Sequence, residues 1–230
     1  MRMLTFLCAA LLAAGSAFAA PTKEEAKRLS ESAAVLDELH TSGDKGIPED
    51  LWTKAQCVIV IPSIKKGAFG IGGEYGKGVM SCRNGANWSA PVFMALAKGS
   101  IGFQIGAEQI DLVMLLMNRR GLEKLLQDKV SLGTDASVSA GPVGRTGSAA
   151  TDAQLHAEML AYSRSEGLFA GIDLSGGVLK PDTDANKNAY GPNVNAHDVV
   201  TGTAKVAKLD AATPFMTALK QETRATTGKK

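Results

Sequence analysis

Polar and apolar positions alternate along this chain with two different periods. Over residues 22–40 the period is helical, with Ala26, Leu29, Ala33 and Leu36 recurring on one face. Thr22 and Glu25 form a capping-box pattern at its start. Gly43, Gly46 and Pro48 break the helix, and Pro48 suits the first position of a second, short helix over 47–52. The run Cys57-Val-Ile-Val-Ile61 is β-branched and predicts a buried strand. Residues 62–67 read as a polar loop, and 69–78 are glycine-rich. Segments 90–97, 101–107 and 110–117 predict strands of an antiparallel sheet, with a helical alternative over 111–117. A short helix is expected over 121–129. Later strands are expected over 138–143, 159–163 and 168–179. Short helices over 184–190 and 196–201, a C-terminal helix over 211–221 and a frayed tail from 226 complete the reading. The expected fold class is α+β, a mainly antiparallel β-sheet or barrel-like sheet packed with several short helices.

The first residues follow a third pattern. Met1-Arg2 is a short positive start, residues 3–14 are mostly apolar, and Ala17-Phe18-Ala19 places small residues at a cleavage position. Residues 1–19 therefore predict a signal peptide, and 20–230 a single exported domain, periplasmic or secreted. The apolar run is shorter than the roughly 20 residues a membrane span needs, and no later stretch is long enough. Cys8 lies inside that run, and Thr5-Phe6-Leu7 lacks the small residue a lipoprotein site needs before its cysteine.

Removing the first 19 of 230 residues leaves 211, enough for one core, and losing Arg2 takes the net charge from +2 to about +1. That balance does not call for nucleic acid, and the few aromatics offer little stacking surface. Cys57 and Cys82 remain. Pairing 57–61 antiparallel with 78–82 sets Cys57 opposite Cys82 and Ile61 opposite Gly78. A disulfide is expected, with two separate buried thiols as the alternative.

The motifs of common chemistry do not fit. In the glycine-rich stretch Ile71 stands where a P-loop needs its first glycine, and Gly78 stands where it needs a hydroxyl residue. His40, His156 and His197 fall in no zinc spacing, and there is no Gly-x-Ser-x-Gly. Asp182, Asp184, Asn186 and Asn188 resemble the start of a calcium loop, but Lys187 replaces its glycine and Asn193 its glutamate. A helix N-cap at Asp182 or Asp184 explains these residues more simply. No enzyme, cofactor or metal is expected. An internal echo, Phe69-x-Ile-Gly-x-Glu74 and Phe103-x-Ile-Gly-x-Glu108, reads as similar strands with a second backbone packed close.

Surfaces remain. Lys65 and Lys66 make a small cationic prow, and Lys23, Lys27 and Arg28 add charge to the first amphipathic helix. Basic residues on an amphipathic helix suit docking to an anionic bilayer. The alternative is an ordinary surface helix packed on the sheet, since Glu24, Glu25 and Glu31 dilute the charge.

The order of segments resembles the SYLF domain family. The resemblance rests on Ala55-Gln-Cys-Val-Ile-Val-Ile-Pro62, Gly70-Ile-Gly-Gly-Glu-Tyr-Gly-Lys-Gly-Val79, Trp88-Ser-Ala-Pro91, Gly102-Phe-Gln-Ile-Gly106 and Tyr162-Ser-Arg-Ser-Glu-Gly-Leu-Phe-Ala-Gly171. It covers about residues 25 to 220. It implies lipid binding: eukaryotic members bind phosphoinositides, often beside SH3 or FYVE modules, and act in actin and endocytic regulation. Membrane contact in the family is attributed to an N-terminal amphipathic helix and basic residues. By position that implies Lys23, Lys27 and Arg28, with Lys65 and Lys66, as lipid-binding residues here. The signal peptide and the lack of an SH3 or FYVE module set this sequence apart, so anionic phospholipids replace phosphoinositides in the expectation. An envelope protein partner, without direct lipid binding, is the alternative. N-terminal sequencing of the exported protein is expected to begin at Ala20; a chain still starting at Met1 would refute the leader.

Overall fold

The computed structural model describes residues 19–42, 46–69, 71–101, 109–127, 129–144, 156–165 and 168–225. The leader, the second copy of the echo and the C-terminal tail lie outside the described residues.

The β-branched run does form a strand, but a longer one, β1 (Cys57–Phe69). Cys57, Val58, Ile59, Val60 and Ile61 are all fully buried, so both faces of the strand are covered. It lies between β2 (Ile71–Asn84) and β5 (Gln109–Leu116), antiparallel to both. Beyond β2 the short β3 (Asn87–Trp88) pairs with its end, and β4 (Val92–Ile101) pairs along its length. Then come β10 (Gly177–Pro181) and β6 (Val130–Ser131). On the other side β5 pairs with β8 (Met159–Ser165), which carries β7 (Val138–Ala140) and β9 (Leu168–Gly171). The path is β6-β10-β4-β2-β1-β5-β8-β7, antiparallel except for β7 on β8. The sheet curls into a half-barrel, so the α+β class holds.

Among the described residues six helices cover it. α1 (Lys23–Thr41) starts with the expected capping box: Thr22 N–H donates to Glu25 Oε2 at 2.7 Å, and Glu25 N–H to Thr22 Oγ1 at 3.4 Å. α2 (Glu49–Lys54) follows Pro48. α3 (Arg119–Gln127), α4 (Thr183–Tyr190), α5 (Ala196–Thr201) and α6 (Thr213–Ala225) follow in chain order. α1 packs on β1, β2 and α6, whereas α4 and α5 pack on β4. The helical alternative over 111–117 is replaced by strand β5.

Three expectations change, each for a local reason. Residues 62–67 are not a loop. Pro62 has no N–H for the ladder, so β1 bulges there and then resumes. Ser63 takes a positive φ of 52°, and its N–H donates to Asp111 Oδ1 at 2.9 Å. The register beside it is as read from Cys57–Cys82 to Val60–Val79, but pairing then shifts and resumes at Lys65–Tyr75, so Ile61 does not pair with Gly78. The glycine-rich stretch is strand, and its glycines make room for the bulge. A Cβ on Gly78 would lie 2.0 Å from the Val60 carbonyl oxygen; one on Gly76 would lie 2.6 Å from Ile61 Cγ2. Residues 168–179 are two strands, separated by a turn in which Ser175 N–H and Oγ–H donate to Asp173 Oδ1 and Gly176 has φ 82°.

Cys57 and Cys82 form the disulfide, closing a separation of 25 residues. Substituting Gly78 by alanine should cost about 2–3 kcal/mol, because backbone atoms cannot move aside cheaply. Gly73→Ala, whose Cβ would meet, among the described residues, only the Lys98 carbonyl oxygen at 3.8 Å, should change little. Chemical denaturation of both variants checks the pair; equal midpoints would refute the packing role of Gly78.

Candidate functional site

The five cations read from the sequence do not form one cluster. Lys23 and Lys27 are exposed on the outer side of α1, and Lys27 Nζ lies 3.5 Å from Glu31 across one turn. Arg28 is engaged differently. Its Nη1 donates to Asp182 Oδ2 at 2.9 Å, and its side chain is only 14% exposed. Lys65 is exposed on β1, next to Lys66, whose backbone pairs with Glu74.

The apolar stripe of α1 belongs to the core. Leu29, Ala33, Val35, Leu36 and Leu39 are buried under the sheet and α6. The packed surface helix is therefore what the structure shows. A bilayer could meet α1 only through its polar side.

Asp182 organises the ground around the start of α1. It caps α4 by accepting from Ala185 N–H at 3.4 Å, which is the N-cap role read from the sequence. The same carboxylate receives Arg28 from α1 and Lys77 Nζ from β2 at 2.9 Å. Burial pushes the Asp182 carboxyl up, but the hydrogen bonds from Lys77 and Arg28 outweigh it and hold it below the usual carboxylate range. The bond to Asp182 likewise raises Lys77. One turn on, buried Asn186 accepts from Phe93 N–H at 2.8 Å and donates to Phe93 O at 2.9 Å, so α4 completes part of the β4 ladder. Glu25, buried at the start of α1, accepts from Asn188 Nδ2 at 2.9 Å.

Beside this clamp runs a groove of about 570 Å³. Tyr75, Lys77, Lys180, Lys187 and Asn195 line it. Lys77 and Lys180 both pair with Ala95, so two lysines flank one small residue in a single row. Among the described residues no group of acids, cysteines and histidines could hold a metal. The groove lysines were missed in the sequence because they are far apart in it. Only the strand register brings them together.

Residues 97–222 match the family described as Ysc84, Las17-binding protein actin regulator. The chain belongs to this family, as its SYLF motifs implied. LAS seventeen-binding protein 3 of Saccharomyces cerevisiae is 35% identical over 163 residues, 69% of this chain and 35% of the yeast protein. Protein YSC84 of the same yeast is 34% identical over 167 residues, 71% of this chain and 36% of the relative. The human SH3 domain-containing YSC84-like protein 1 is 31% identical over 184 residues, 78% and 54% respectively. The chain thus spans about a third of these yeast relatives and about half of the human one.

Asp182→Asn keeps a good cap but removes the charge. A carboxyl held low contributes stability above its unfolded value near 3.9 and loses it as pH falls through the lower folded value. The variant should lose about 1–3 kcal/mol at pH 7, and the gap should close below about pH 4. Thermal melts across pH measure this; a gap unchanged at pH 3 would refute the clamp.

Proposed function

We propose that this chain is an exported, non-enzymatic protein that docks on anionic phospholipid surfaces through basic residues. The observation that carries the reading is the arrangement of exposed cations: Lys23 and Lys27 on the outer side of α1, Lys65 on β1, and Lys180 and Lys187 at the groove. Lys66 extends the β1 cations by sequence. Each such cation near an anionic surface adds about 1 kcal/mol, so together these dispersed residues support modest, salt-sensitive binding. In this reading Lys23, Lys27, Lys65 and Lys66 meet phosphates directly. Arg28 acts from behind, fixing the start of α1 through Asp182. The charged and polar groove lining supports surface docking over extraction of a whole lipid. The buried Cys57–Cys82 bridge supports an oxidising compartment, periplasmic or extracellular.

The second reading is a protein-interaction module of the envelope without direct lipid binding. Two observations favour it: the apolar face of α1 is already spent on the core, and a relative is named for binding a protein.

Vesicle flotation separates the two. The chain should be recovered with vesicles containing phosphatidylglycerol and not with phosphatidylcholine alone. Lys65→Glu/Lys66→Glu should weaken recovery about tenfold or more, and salt should weaken the wild type. Equal recovery on neutral and anionic vesicles would sink the electrostatic reading.

A further inference from the structure

The groove beside the Asp182 clamp has a row of the sheet as its floor. Lys77 on β2 and Lys180 on β10 both pair with Ala95 on β4, so the three side chains share one face. The two lysine backbones stand two strand spacings apart, about 9.5 Å. Ala95 between them is short and leaves the space above it to the groove. The next row on that face is Tyr75, Ala97 and Val178, again with alanine in the middle. α4 supplies a wall, and its Asp184 and Lys187 add to the polar lining. That wall is fixed. Asn186 exchanges two hydrogen bonds with the Phe93 backbone, and Asp182 caps the helix.

Charge in the groove does not cancel. Asp182 offers one carboxylate to both Arg28 and Lys77, each at 2.9 Å, so this joint keeps a positive charge. Lys180 and Lys187 are exposed, and among the described residues neither has an ion-pair partner. Against them stands only Asp184, exposed in the first turn of α4. Four cations thus share two carboxylates. A hollow with one prevailing sign of charge concentrates counter-ions more than the same charges spread over open surface. Lys77 is already held by its bond to Asp182, so an arriving anion has less side-chain freedom to freeze there.

The residue types select the anion. Ammonium groups from β2, β10 and α4 approach from three sides, which suits the several oxygens of a tetrahedral phosphate. Asp184 repels a second anionic group but accepts hydrogen bonds from hydroxyls. Tyr75, 49% exposed at the next row, carries a hydroxyl that can donate or accept. The volume of about 570 Å³ falls within the roughly 300–1,000 Å³ of small-molecule sites.

We propose that this groove is a binding site for the phosphate ester of a small polyol. Lys77, Lys180 and Lys187 hold the phosphate, and Asp184 and Tyr75 take the hydroxyls. The glycerophosphate headgroup of a phospholipid and a free polyol phosphate share this chemistry. A defined site of this kind goes beyond dispersed surface docking, and it stands or falls separately from it.

The test uses the full mature chain and two probes: glycerol 1-phosphate in solution, and vesicles of phosphatidylcholine with or without phosphatidylglycerol. Calorimetric titration with glycerol 1-phosphate should saturate at one per chain. Lys180→Gln/Lys187→Gln should weaken it about tenfold or more. Lys205→Gln/Lys208→Gln removes the same charge from exposed positions outside the groove and should leave it unchanged. Ala95→Leu fills the floor, keeps every charge and should weaken binding at an unchanged melting temperature; if it does not fold, the lysine pairs decide. Inorganic phosphate bound as tightly as the ester would overturn the polyol assignment. With a lipid source, the groove pair loses more recovery on phosphatidylglycerol vesicles than the control pair, and glycerol 1-phosphate competes. With a free source, the titration saturates while both pairs are recovered alike; the site stands in either case. Groove and control pairs that behave alike on both probes overturn the site, and wild-type recovery on anionic vesicles then leaves lipid docking standing. A saturating titration with no wild-type recovery on any vesicle overturns lipid docking and leaves the site.

Discussion

β1 is buried on both faces and carries a proline, so one backbone position near the middle of the sheet has no N–H to give. Much of the architecture answers that defect. The strand bulges at Pro62 and Ser63, and the Ser63 N–H is taken by Asp111 on β5. Asp111 Oδ2 lies 3.1 Å from Arg164 Nε on β8, and Arg164 also pairs with Glu38 on α1. A local interruption thereby becomes a chain of contacts across four elements, β1, β5, β8 and α1. On the other side β2 must pass the bulge closely, which only residues without a Cβ can do at positions 76 and 78. The glycine-rich stretch, whose spacing does not fit a nucleotide loop, is in part the complement of a proline.

α1 is held at two places by charge and along its length by apolar burial. Arg164 meets Glu38 near its end, and the Asp182 clamp meets Arg28 near its start. Both acceptors of Arg28 and Lys77 are one carboxylate, which also caps α4, so helix, sheet and second helix share a joint. This joint spends one of the cations that the family resemblance implies for lipid contact. It leaves Lys23 and Lys27 on the outer side, where charge can act without disturbing the core.

Much of the fold was legible because its signals are local. The capping box, the β-branched run, the N-cap at Asp182 and the short helix Ala196–Thr201 each depend on a few neighbouring residues. The cysteine pairing was legible because a single antiparallel register fixes it. Strand lengths were not, because glycines and a proline inside a strand look like loop until the partner strand is known. The turn that splits residues 168–179 turned on Gly176 and the Asp173–Ser175 contact, too short a signal against a long apolar run. For the site, the sequence named exposed lysines on α1 and β1. It did not separate Arg28 from them, since its partner lies 154 positions away. Lys180 and Lys187 were invisible for the same reason.

The packing of α1 against α6 also sets a timetable. The first described helix takes as its neighbour the last one, so its apolar stripe has no complete cover until nearly the whole chain is available. The β1–β2 hairpin needs only near neighbours and can pair early. A chain still being made therefore has an apolar flank on α1 that stays unsealed until its end. Any factor that shields hydrophobic surface during synthesis would find its target there, and would be released by the arrival of residues Thr213–Ala225.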